Sequence, residues 1–214
     1  MGFWNREGVS PSGTLFSWDE LSRISRKGAL LSALKEKGQL YSPEDLELML
    51  NRYAKKLENV PKDYGDSLLY YARIQIVDGY HRMMTDELSE IRGAVPLASS
   101  WKKFTADAKA AASKGTPGDR LRSLKYLIAA YTVYIREEPV HPVGMPFPGG
   151  FSVELYDGGY YCPVRAVWND IDDAFCKFCP AIQSRERDLL LSKSERDIVT
   201  KKEKLNNYFY NFKG

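Results

Sequence analysis

Residues 116–150 read TPGDRLRSLKYLIAAYTVYIREEPVHPVGMPFPGG, and two textures meet inside that stretch. The first half is helical by pattern. Leu121, Leu124, Ile128, Tyr131 and Ile135 recur at the three- and four-residue steps that align side chains on one helix face. Thr116-Pro117-Gly118-Asp119 supplies a start signal. This is the most apolar helix of the chain, which predicts a central place in a bundle. The second half cannot continue it. Pro139, Pro142, Pro146 and Pro148 remove amide donors, and Gly144, Gly149 and Gly150 favour turns.

Upstream, helix follows helix. Ser17 with Glu20 forms a capping box, predicting a helix that carries Leu21, Ile24, Leu31 and Leu34 and stops at Gly38. Ser42-Pro43-Glu44-Asp45 predicts a second start with proline at its favoured first position. Leu46, Met49, Leu50, Tyr53 and Leu57 continue that stripe, and Pro61 ends it. A third helix is expected over residues 66–88, with Leu69, Ile76, Tyr80 and Met83 facing inward. The alanine-rich stretch 99–113 predicts another.

Downstream of the break, alternating Phe151, Val153 and Leu155 predict a strand, Asp157-Gly158-Gly159 a tight turn, and residues 160–164 the return strand. A short helical turn over residues 169–178 would carry Cys176-Lys177-Phe178-Cys179. The segment 184–205 is charged and helix-compatible, and Tyr208, Phe209, Tyr210 and Phe212 close the chain. The expected architecture is mainly α. A bundle of about five or six helices fills residues 1–138, a small metal-binding β-hairpin lobe follows at 139–182, and a C-terminal helix with an aromatic tail occupies 183–214.

Composition excludes several classes. The 214 residues carry a net charge of only +3, which gives no strong electrostatic case for nucleic acid. No apolar run is long enough to span a membrane, and the first residues match neither a signal peptide nor a myristoylation pattern. A cytoplasmic protein is expected, and its reducing surroundings argue against structural disulfides. Phe3 and Trp4, like the aromatic tail, either dock on this chain or meet a protein partner.

All three cysteines, Cys162, Cys176 and Cys179, fall in that lobe. CxxC spacing lets two thiolates from one turn reach a single ion, and Cys162 ends a predicted strand. Three thiolates need a fourth ligand to complete a tetrahedron. Of the two histidines, His141 shares the irregular segment, whereas His81 lies in a predicted helix, so a Cys3His site is expected. Glu137, Glu138, Asp172 or Asp173 could substitute for His141. Zinc leads among metals, with an iron–sulfur cluster as the alternative. The competing readings are three buried structural cysteines, or a redox CxxC pair for which the βαβ context is missing. The PFPGG stretch lacks the lysine and hydroxyl of a phosphate loop, and neither HExxH nor a serine-nucleophile elbow occurs. His81 with Asp78 and Asp86 forms at most a polar cluster on one helix. These features predict an accessory or interaction protein with a structural zinc. The alternative is an iron–sulfur or open-site metal protein with a redox or enzymatic role.

The segment HPVGMPFPGGFSVELYDGGYYCPV, followed by FCKFCPA, resembles an archaeal family, domain of unknown function 2115, found chiefly in methanogens. The matching positions are His141, Pro142, Gly144, Pro146, Phe147, Pro148, Gly149, Gly150, Tyr161, Cys162, Pro163, Cys176, Cys179 and Pro180. The resemblance implies an archaeal, anaerobic, cytoplasmic setting and carries no particular activity. That setting raises the standing of the iron–sulfur alternative.

Overall fold

A computed structural model describes residues 15–116, 118–166 and 175–184. The chain is mainly helical. Helix α1 spans Trp18–Ser22, α2 Lys27–Gly38, α3 Pro43–Lys56 and α4 Lys62–Arg73; a π-helical turn, Ile74–Asp78, leads from α4 without a break into α5, Gly79–Thr85. Helix α6 is Glu90–Gly93, α7 Trp101–Ala112 and α8 Asp119–Ala130, and α8 continues through a second π turn, Tyr131–Ile135.

The stretch 119–135 is the spine that its pattern predicts. Leu121 is buried, and Leu124, Leu127, Ile128, Ala130, Tyr131, Val133 and Ile135 lie in the main core, along with residues of α1, α2, α5 and α7. Asp119 starts it. Its buried carboxylate accepts from the Gly115 and Thr116 amides at 2.8 and 3.3 Å and from the Thr116 hydroxyl at 3.0 Å, while Arg122 pairs with it from the next turn. At the far end Glu138 N donates to Thr132 O, with Glu137 between them in the left-handed region at φ 57°. That position usually takes glycine. Here the Glu137 carboxylate instead pairs at 2.8 Å with Lys27, a buried lysine that needs a counter-charge.

More helical segments are present than the five or six expected, for local reasons. The helix predicted from Ser17 to Gly38 breaks at residues 23–26. Arg26 is extended and bridges to Pro96, Lys27 N donates to Val95 O at 3.0 Å, and Leu97 N to Ser25 O at 2.9 Å. These long-range backbone bonds replace the intrahelical ones, and Ser17 caps only a short α1, accepting from Asp19 N. The Ser42 box forms as expected, with Asp45 reaching back to Ser42 N at 2.9 Å. Helix α4 begins at Lys62, four residues before the predicted start, because Pro61 is its N-cap as well as the end of the preceding segment.

The strands are small. Pro146–Phe147 (β1) pairs antiparallel with Phe151–Ser152 (β2), and Glu154–Tyr156 (β3) with Gly159–Cys162 (β4). Asp157 and Gly158 both have positive φ, as the two-residue turn of a twisted hairpin requires. Ile182–Gln183 (β5) then lies parallel to β4. The strand expected through Phe151, Val153 and Leu155 is divided at Val153. That residue leaves the sheets to bond Met145 and Gly144 and to join a second core with Met145, Cys162, Val164 and Ala181. Leu68 and Tyr71 of α4 pack against this core.

Gly144 (φ 86°) is the tightest point of that joint, because a Cβ there would overlap the Tyr71 hydroxyl. Gly150 (φ 81°) has similar backbone geometry and open space around it. Gly150→Ala is therefore expected to lower stability by about 1 kcal/mol, and Gly144→Ala by about 2 kcal/mol or more. Urea denaturation of the two variants checks the difference, and equal losses would show that Tyr71 does not press on residue 144.

Candidate metal centre

The cysteines are gathered by strand pairing. Cys162 ends β4, and its carbonyl accepts from Ser184 N at 3.1 Å. The β4–β5 register, Tyr161 to Ile182 and Cys162 to Gln183, brings the chain just after Cys179 alongside Cys162. The Gln183 side chain fastens the two segments again, donating to Pro163 O at 2.9 Å and accepting from Ala166 N at 2.7 Å. Ahead of β5, a 3-10 turn spans Cys176–Phe178, and Cys179 N donates to Phe175 O and Cys176 O, both at 3.1 Å.

The helical bundle fixes this turn in place. Phe175 and Phe178 enter the main core, where their rings lie 6.1 and 5.1 Å from that of Phe104. Phe175 also packs edge-on to Tyr126 at 4.7 Å, with the Lys125 ammonium over its ring. Between the cysteines, Lys177 pairs with Asp107 of α7 at 2.6 Å. Cys179 packs against both cores, so the turn is the seam between bundle and lobe.

All three thiols are free, and they sense one another. Burial pushes the Cys176 thiol up to about 12, with Cys179 and Cys162 adding to the rise and Arg165 opposing it. Cys162 is raised by burial and by Cys179, again against Arg165. Both are neutral thiols near pH 7, packed as small apolar groups. Among the described residues, no group of three or more histidine, cysteine, aspartate or glutamate side chains is arranged so that it could hold a metal ion.

His141 is not among the groups that act on these thiols. Its ring stands edge-on to Phe147, 5.4 Å away, and burial, helped by Lys125, pushes its pKa down to about 4. Lys125 is thus a common neighbour of His141 and of Phe175, the residue before Cys176. The acidic substitutes have other partners: Glu137 holds Lys27, and Glu138 holds Arg82 at 2.9 Å and Arg136 at 3.4 Å. Asp172 and Asp173 lie outside the described residues, as do Phe3, Trp4 and the C-terminal aromatic segment. His81 is exposed beside Tyr80, and Asp86 turns away from it to accept from the Tyr131 hydroxyl at 2.8 Å.

Sequence reasoning missed two participants. Lys177 was visible as a cation inside the CxxC, but its partner Asp107 is seventy positions away in sequence. Arg165, three residues after Cys162, carried no signal of its own. The PFPGG turn forms one wall of an open apolar groove of about 410 Å³, with Pro61 and Tyr64 opposite.

The family model described as "Uncharacterized protein conserved in archaea (DUF2115)" matches residues 26–184, a span that contains His141 and all three cysteines. The chain belongs to this family. Relatives of this DUF2115 chain are UPF0305 proteins of methanogens. One from Methanothermobacter thermautotrophicus is 50% identical over 58 residues, covering 27% of the chain and 37% of the relative. One from Methanopyrus kandleri is 47% identical over 60 residues, 28% of the chain and 42% of the relative. The chain thus spans under half the length of these relatives. Another, from Methanococcus maripaludis, is 28% identical over 158 residues, which covers 72% of the chain and 94% of the relative. No solved structure significantly matches the DUF2115 chain. Among its described residues, no helix is long and apolar enough to cross a membrane.

The depressed pKa of His141 has a consequence for metal-free protein. The imidazole is neutral in the fold down to about pH 4, whereas its ordinary value is 6.5. Between those limits the unfolded chain binds more protons, so the stability from His141 is complete above the upper limit and is lost as pH falls toward the lower one. With chelator present, the urea midpoint of wild-type protein should fall more between about pH 7 and about pH 5 than that of His141→Gln. Parallel falls would mean that the imidazole is solvated.

Proposed function

We propose that this DUF2115 protein is a cytoplasmic accessory or interaction protein of methanogenic archaea, in which one zinc ion on Cys162, Cys176 and Cys179 fastens the lobe of residues 139–182 to the helical bundle. His141 completes the tetrahedron. The observation that carries this reading is the convergence of three thiols at the seam, on a turn held from the bundle side by Phe175, Phe178 and Lys177. The donor set suits a soft divalent ion. The lobe's own core is five buried residues with a few partly buried neighbours, too little to hold an irregular segment rigid, and a structural metal supplies the missing constraint. Zinc also displaces the thiol protons, and its charge offsets the repulsion between the thiolates that result. The imidazole is already in the neutral form that metal binding requires. The rest of the chain then acts as a scaffold that presents the lobe to a protein partner.

The test is elemental analysis of full-length protein purified without oxygen, with single Cys→Ser variants and His141→Ala. One zinc per chain is expected, lost in each cysteine variant and weakened in His141→Ala. Chelation should lower the thermal midpoint of the wild type by several degrees. Brown protein with iron and inorganic sulfide would assign the site to an iron–sulfur cluster instead. Absence of any stoichiometric metal contradicts the proposal.

A further inference from the structure

A different face of the molecule, remote from any metal chemistry, is left open by the packing of α3. The stripe Leu46, Met49, Leu50, Tyr53 and Leu57 would let this helix pack along its whole length, yet only Leu46 is buried. Helix α3 packs chiefly on α4 and on the π turn that follows it. Helix α4 in turn directs Gly65, Leu68 and Ala72 toward the protein. Its opposite face, Asp66, Leu69, Tyr70 and Arg73, joins Leu50, Asn51 and Ala54 of α3 around an open groove of about 380 Å³. Leu50, Leu69 and Tyr70 belong to neither hydrophobic core. Tyr70 is 60% exposed, but its ring stands edge-on to that of Tyr71 at 5.2 Å, and Tyr71 packs against the second core. The outward ring is thus oriented before anything docks on it.

The four residues of α4 follow the steps of three and four that align side chains on one helix face. They read acid, apolar, apolar, base, and the midpoint falls between Leu69 and Tyr70. Such a face complements its own copy when the two helices run antiparallel. A two-fold axis through the midpoint sets Asp66 of each copy against Arg73 of the other, with the apolar pair at the centre. Neither charge has another task. Both are exposed, and among the described residues neither side chain has a hydrogen bond or an ion pair. Asp66 stands past the first turn of α4, and beyond Arg73 the helix runs on through the π turn into α5, so neither complements a free helix end.

We propose that the α3–α4 face is the contact surface of a homodimer. Two copies pack α4 antiparallel across a two-fold axis, each Tyr70 enters the groove of the other copy, and Asp66 pairs with Arg73 in both directions. Four helices meeting over two turns bury an area near the low end of specific interfaces, about 1,200 Å² in total, which makes the association roughly micromolar.

The experiment is sedimentation velocity of the full-length protein over a range of concentrations. Wild type should be mostly dimer by about 100 µM, well above a micromolar constant. Arg73→Glu and Asp66→Arg each oppose like charges at both ends of the contact, and each should weaken self-association by about tenfold or more. Tyr70→Ala should do the same by emptying the centre. An equal mixture of the two charge variants should associate again, because each then meets the opposite charge on the other. The double variant Asp66→Arg/Arg73→Glu, whose face is self-complementary once more, should dimerise like wild type. Circular dichroism and thermal midpoints should stay close to wild type throughout, because these side chains are exposed. A wild type that is still monomeric at about 1 mM overturns the proposal. So does a dimer that Arg73→Glu leaves intact, since it would use another face, and so does a mixture of the folded charge variants that stays monomeric.

Discussion

The burial of Phe175 and Phe178 against Phe104 is the contact on which the arrangement of this protein depends. Phe104 belongs to α7, and its ring also meets Trp101, Tyr126 and Tyr134 at 5.2–5.6 Å, forming one aromatic cluster of the main core. Each buried phenylalanine contributes about 1.5–3 kcal/mol, and each well-placed ring pair a further ~1 kcal/mol. Those terms exceed what the half-buried Lys177–Asp107 pair adds, about 1 kcal/mol. Hydrophobic packing therefore places the CxxC turn, and the ion pair orients it.

From that anchor the lobe is built outward. Once the turn is held, β5 leaves it in the direction that pairs with β4, and the pairing draws Cys162 to Cys179. The second core then closes over Cys162 with Met145, Val153, Val164 and Ala181, against Leu68 and Tyr71 of α4. The cysteines consequently stand where two cores meet, a site with little room to relax. Packed as neutral thiols they are small apolar groups. As ligands they would lock the end of β4 to the 176–179 turn, in addition to the β4–β5 pairing.

Much of this was legible in the sequence, and the reasons differ by element. The central helix was legible because the apolar steps of Leu121 to Ile135 are local and unambiguous. The hairpin was legible because Asp157-Gly158 states its own turn type. The break between Ser22 and Lys27 was not, because it is imposed by backbone bonds to residues 95–97, which no nearby residue announces. The same distinction separates the site residues. Clustering in sequence drew attention to the cysteines, and the pairing of β4 with β5 sets Cys162 alongside the segment that follows Cys179. His141 is close in sequence but is oriented by Phe147, and Arg165 enters through a hydrogen bond to Ala181 that spacing alone could not reveal.

The central claim is that the cysteine seam, closed by a metal, is what holds the lobe to the bundle. Amide hydrogen exchange of the purified holoprotein before and after chelation tests it most directly, because it reads the two parts separately. The account predicts that amides of β3, β4, β5 and the 176–179 turn lose protection on metal removal, while those of α7 and α8 keep theirs. Unchanged protection throughout the lobe after the metal is gone would contradict it.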